Sequence, residues 1–167
     1  MKPKFRLILI GVLFLILGLL EHCMGPFWWD CNPPYLLCAV VVCAMFSGEK
    51  AAALFGLVSG LFADAMASGI FGLRAVMFLF FGYMIAFLTE KILSRNVISC
   101  ALTGILSVGF SELAEWGIFC LNTPVDFATA AQYVFLPRVV MSLPVVLFLY
   151  YVFTLLYRER DVYPVRR

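Results

Sequence analysis

The chain has 167 residues, of which 64% are apolar and 13% charged, with a mean hydropathy of +1.02. Soluble domains run at about 45–50% apolar and about 25% charged. This composition therefore cannot cover a water-soluble fold, and it excludes a secreted, disordered or nucleic-acid-binding protein. The net charge of +2 says little in total, but the placement of the charges along the chain says a great deal.

Apolar runs separated by polar punctuation mark the elements. At about 20 residues per span, six spans use most of the chain. The expectation is an all-α, polytopic transmembrane helical bundle, a single integral membrane domain over 1–167. The first run, 5–20, opens on the basic segment of Lys2, Lys4 and Arg6 in the manner of a signal peptide. Glu21-His22-Cys23 stands where a small-x-small cleavage site would be needed, so it reads as an uncleaved span. A loop over 21–34 carries Trp28, Trp29 and Asp30, and the paired indoles suit a membrane interface. The second span is 35–46, followed by a Ser47-Gly48-Glu49-Lys50 turn and a third span over 51–67. Ser68-Gly69 turns the chain into a fourth span at 70–88, and 89–96 is a charged loop. A fifth span covers 97–121. The loop 122–132 holds Asp126, the sixth span is 133–157, and a basic tail begins at Arg158.

The second span, with 12 residues, is short for a bilayer. Charge placement decides the matter. With six spans, ten Lys and Arg residues fall on the side of the termini and only Arg74 and Arg138 on the other. If 35–46 does not cross, the division becomes five to seven. The positive-inside rule then predicts six spans with both termini cytoplasmic.

Ionisable residues inside spans are costly and need a reason. Asp64, Arg74, Glu112, Glu115 and Arg138 all fall at a common depth near the outer ends of their spans, which predicts a buried polar cluster. Glu112 and Glu115 share a helix face at i, i+3 spacing. The expected pairs are Asp64 with Arg74, and Glu112 or Glu115 with Arg138. Three uses compete: an ion-pair network that fixes helix packing, contact with a partner's span, and a proton or solute site. On the third span Ala52, Gly56, Gly60, Asp64 and Ser68 recur every four residues as one stripe. Small residues let helix backbones approach closely in lipid, so the stripe serves either packing inside the bundle or docking of a partner helix.

Catalysis fails on inventory. His22 is the sole histidine, so neither a zinc-protease pair nor a base for Ser59 is available within the spans, and no phosphate loop is present. No metal site and no cofactor are expected. The six cysteines show no CxxC spacing; most read as small hydrophobes, while Cys23, Cys31 and Cys120 fall at one membrane face, which leaves a disulfide among them open. Pro137 lies in the first turn of the sixth span, where proline is tolerated, and Pro144 mid-span predicts a kink.

From Gly56 to Arg74 the chain reads G-L-V-S-G-L-F-A-D-A-M-A-S-G-I-F-G-L-R. Glycines four apart, an aspartate four later, a Ser-Gly turn and Gly-Leu-Arg resemble the rod shape-determining protein MreD family of bacterial inner membranes. Length, six-span topology and tiny loops agree with that family. The resemblance implies a non-enzymatic, multi-pass scaffold of the cell-elongation machinery. Its implied partners are MreC, MreB filaments inside the cell, and a peptidoglycan synthase composed of RodA with a class B penicillin-binding protein. It implies Gly56, Gly60, Asp64, Gly69, Gly72 and Arg74 as the packing or docking positions. A second resemblance, to the S component of energy-coupling-factor vitamin transporters, implies a solute-binding six-helix bundle. The first span lacks that group's small-residue docking motif, having only Gly11 and Gly18, seven apart.

Overall fold

A computed structural model describes the backbone of residues 3–23, 32–66, 71–92, 96–122 and 136–157; within these, side chains are described except at 3–8, 23 and 118–122. Among the described residues the chain is entirely helical. Its six helices are α1 (Pro3–Cys23), α2 (Tyr35–Phe46), α3 (Glu49–Met66), α4 (Leu73–Lys91), α5 (Val97–Asn122) and α6 (Leu136–Tyr157). Three of them, α4, α5 and α6, are long and apolar enough to cross a membrane by length and composition.

The bundle is organised around its shortest helix. α2 is apolar all round, with no polar face to turn outward, so it seeks the interior. Every residue from Leu36 to Met45 is buried. The other five helices pack on it, and α3/α4 and α5/α6 form two antiparallel hairpins against its sides. At 1.5 Å per residue α2 is about 18 Å long, well under the roughly 30 Å of a hydrocarbon core. The sheath of neighbours explains how so short an apolar helix is accommodated: its backbone and side chains meet protein rather than the outside. At its C-terminal end Phe46 packs on Tyr150, Phe153 and Tyr157 of α6, with ring centroids 5.1–6.2 Å apart. Ser47 Oγ lies 3.4 Å from the Tyr157 hydroxyl.

The outward faces are apolar. Phe71, Val76, Ile98, Leu106, Phe148 and Tyr151 are all more than half exposed, a surface that suits hydrocarbon and not water.

Several boundaries differ from the sequence expectation. α1 continues through Glu21 to Cys23, so Glu21 sits on a helix and not in a loop. α3 begins at Glu49, which reduces the turn before it to Ser47-Gly48. α4 starts later than expected, at Leu73, and keeps Thr89, Glu90 and Lys91 helical. Thr89 contributes by donating its hydroxyl to the Ile85 carbonyl. α6 runs unbroken through Pro144. Trp28, Trp29, Asp30, Gly69 and Asp126 lie outside the described residues.

Candidate functional site

The glycine stripe of α3 faces α4. A Cβ on Gly56 would strike the Phe78 carbonyl, and one on Gly60 would lie 2.5 Å from Ala75 Cα. From the other side, a Cβ on Gly82 would lie 2.6 Å from the Ala52 carbonyl oxygen. The two backbones therefore touch along the length of the hairpin, which only residues without side chains permit. The described members of this stripe, Ala52, Gly56, Gly60 and Asp64, are buried, with α4 packed on them.

Asp64 is the last of the described stripe residues and begins the charged end of the bundle. Its carboxylate accepts main-chain N–H bonds from Gly72 (2.9 Å), Arg74 (3.3 Å) and Ala75 (3.0 Å). These donors are the N-cap, second and third positions of α4, two of which an N-cap side chain normally satisfies. Gly72 is the N-cap and has no side chain to do so; its φ of +98° is a conformation that favours glycine. The preceding helix thus supplies the cap that the local sequence lacks.

The expected Asp64–Arg74 side-chain pair is not formed. Arg74 turns its guanidinium to α5 instead, donating Nε to Glu115 Oε1 (2.7 Å) and Nη2 to Glu115 Oε2 (3.1 Å), a bidentate pair. The reason is geometric: the Asp64 oxygens are already engaged by backbone donors, while Arg74 projects from the first turn of α4 toward α5. Arg138 at the start of α6 donates Nη1 to both oxygens of Glu112, at 3.1 and 3.0 Å. The i, i+3 pair of glutamates on α5 therefore reaches two different helices, Glu115 to α4 and Glu112 to α6.

Glu21 was not singled out by the sequence, yet it belongs to this site. Its Oε2 accepts the Leu36 main-chain N–H at 2.9 Å, the second position of α2. The N-cap of α2 is Pro34, which offers no side-chain bond. Asn32 closes the connection by donating to the Glu21 carbonyl at 3.4 Å. Glu21 also lies within electrostatic reach of Arg74, Arg138 and Glu115. A signal for it exists in the sequence: Pro34 brings no side-chain acceptor to the start of α2, so that helix needs one from elsewhere.

The cluster thus contains four carboxylates and two guanidiniums. Two carboxylates pair with arginines, and the other two rest on helix N-termini, each of which carries about half a positive charge. The excess of acid is met by backbone dipoles.

Other polar groups in the bundle are satisfied locally. Ser59 bonds the carbonyls of Phe55 and Gly56, and Ser142 that of Val139. Among the described residues no group of three potential metal ligands converges. Cys38, Cys43 and Cys100 are buried, with Cys43 Sγ 3.5 Å from Ser47 Oγ; the side chains of Cys23, Cys31 and Cys120 lie outside the described residues. Two surface grooves, one between α4 and α5 and one between α1 and α3, have almost wholly apolar walls.

The family profile for the rod shape-determining protein MreD matches residues 2–160. No curated protein and no solved structure matches the chain.

Proposed function

The chain belongs to the MreD family, and from that premise we propose that it is a non-enzymatic scaffold of the machinery that builds rod-shaped bacterial cells. In this reading it crosses the cytoplasmic membrane six times with both termini inside. It contacts MreC within the membrane and, with it, connects MreB filaments to peptidoglycan synthesis by RodA and a class B penicillin-binding protein. The observation that carries the reading is the family match across almost the whole chain; it also favours this reading over the vitamin-transporter alternative.

The geometry supports a scaffold in a specific way. Gly56, Gly60, Asp64, Gly72 and Arg74 act as the internal packing core. The cluster of Asp64, Arg74, Glu112, Glu115 and Arg138, in which the Asp64 and Glu112 carboxylates are buried and the other three side chains partly exposed, locks helices to one another. Partners in lipid then meet the exposed apolar faces of the bundle, and membrane lipid covers the rest.

Depletion in the host tests the role. Rods becoming round and wide is the expected outcome; unchanged shape after full depletion would overturn it. Tagged purification from native membranes in mild detergent, read by mass spectrometry, tests the partners. MreC is expected among the co-purified proteins, and a coupling protein with ATPase subunits in its place would move the chain to solute uptake.

A further inference from the structure

The two hairpins on α2 are joined to each other very unequally. Within each hairpin the packing is close: α3 and α4 touch backbone to backbone, and a Cβ on Gly104 of α5 would lie 3.0 Å from Val146 of α6. Between the hairpins, α4 and α5 meet along a sparse seam. A groove of about 270 Å³ runs down it, walled by Phe80, Phe81 and Met84 of α4 and by Thr103, Ser107 and Phe110 of α5. Midway, Phe81 and Phe110 touch edge to face at 5.9 Å. At the charged end the only polar side-chain link across the seam among the described residues is Arg74–Glu115.

We propose that the Arg74–Glu115 pair is a clasp between the two hairpins, and that its release lets the α5/α6 hairpin swing on α2 and open the seam at the charged end. Three features argue for this. Bidentate geometry fixes both distance and orientation, so one pair can hold two helices in register. Glu112 stays with Arg138, one turn away on the same helix, so α5 keeps its grip on α6 when Glu115 lets go. Asp64 holds α4 through main-chain N–H groups, including that of Arg74 itself, so the α4 start survives any change of the Arg74 side chain. Packed helical units with a weak joint have two discrete arrangements and not a continuum. The inference concerns the bundle alone and does not depend on which partners it has.

The test places nitroxide-bearing unnatural amino acids at Val76 and Leu113, exposed sites on α4 and α5 near the charged end. A second pair at Glu90 and Ile98 reports the opposite end of the seam. Native cysteines are untouched. Distances are read by electron paramagnetic resonance in phospholipid nanodiscs for the native chain, Arg74→Gln, Glu115→Gln and the swap Arg74→Glu with Glu115→Arg. In each Gln variant the Val76–Leu113 distribution is expected to lengthen and broaden while Glu90–Ile98 stays as in the native chain. The swap is expected to restore the native Val76–Leu113 distribution. An unchanged Val76–Leu113 distribution in either folded Gln variant would overturn the clasp. So would loss of the Glu90–Ile98 distance in both Gln variants, since the pair would then hold the fold and not the seam.

Discussion

The Asp64 carboxylate on α3 stands 2.9 Å from the Gly72 main-chain nitrogen, across the turn, and acts as the N-cap of α4. Eight residues of sequence separate the two, and the side chain does for α4 what serine or aspartate does for most helices. Asp64 is 6% exposed, so without it those donors lose their partner where water is scarce. Asp64→Ala is expected to destabilise the bundle by about 2–3 kcal/mol, toward the upper range for a lost cap or a lost charged hydrogen bond. Asp64→Asn keeps an acceptor and should lose less. Thermal unfolding in detergent, read by helical circular dichroism, checks the order; equal losses would argue against the capping role.

Gly60 and Gly11 make a paired comparison on two helices. Gly60→Leu drives a side chain into the Ala75 backbone, so the expected outcome is loss of the protein from the membrane and not selective loss of a partner. A Cβ on Gly11 meets nothing within 4 Å, and Gly11→Ala should be neutral or stabilising by up to about 1 kcal/mol through helix propensity. Membrane accumulation of the two variants, measured by immunoblot, separates them. Normal accumulation of Gly60→Leu would contradict the observed hairpin contact.

Charge exchange distinguishes side-chain pairs from caps. Arg138→Glu with Glu112→Arg preserves the opposition of charges, so the double variant should accumulate better than either single one. Asp64→Arg with Arg74→Asp should show no such rescue, because Asp64 is held by main-chain donors that the exchange cannot move. The coupling in a double-mutant cycle is the quantity to measure.

Glu21 should matter although it lies past the first apolar run. Glu21→Ala removes the acceptor for the Leu36 N–H and is expected to cost about 1–2 kcal/mol, as at other caps. Glu21→Gln retains a carbonyl acceptor and should recover part of that. Protection of the first turn of α2 against hydrogen exchange is the local readout. Unchanged protection in Glu21→Ala would remove Glu21 from the site.

The sequence by itself determined the all-helical class, the location of six helices and the small-residue stripe on α3, and it put Asp64, Arg74, Glu112, Glu115 and Arg138 toward one end of their helices. Each of these follows from local quantities: the length of an apolar run, a four-residue period, and the distance of a charge from a span end. The bounds of α2 were legible to the residue because Pro33 and Pro34 open it and Ser47-Gly48 close it. Only the tertiary structure decided which charge meets which. The direction of the Arg74 side chain depends on where α5 lies, and the engagement of Asp64 depends on a backbone turn that brings three N–H groups to it. Glu21 was missed because Pro34 shows only that α2 needs an acceptor from elsewhere; which residue reaches the Leu36 N–H, 15 positions away, is decided by how α1 packs on α2. The centrality of α2 was likewise beyond the sequence. A uniformly apolar segment says that it is buried, but which neighbours bury it is set by how two hairpins close around it.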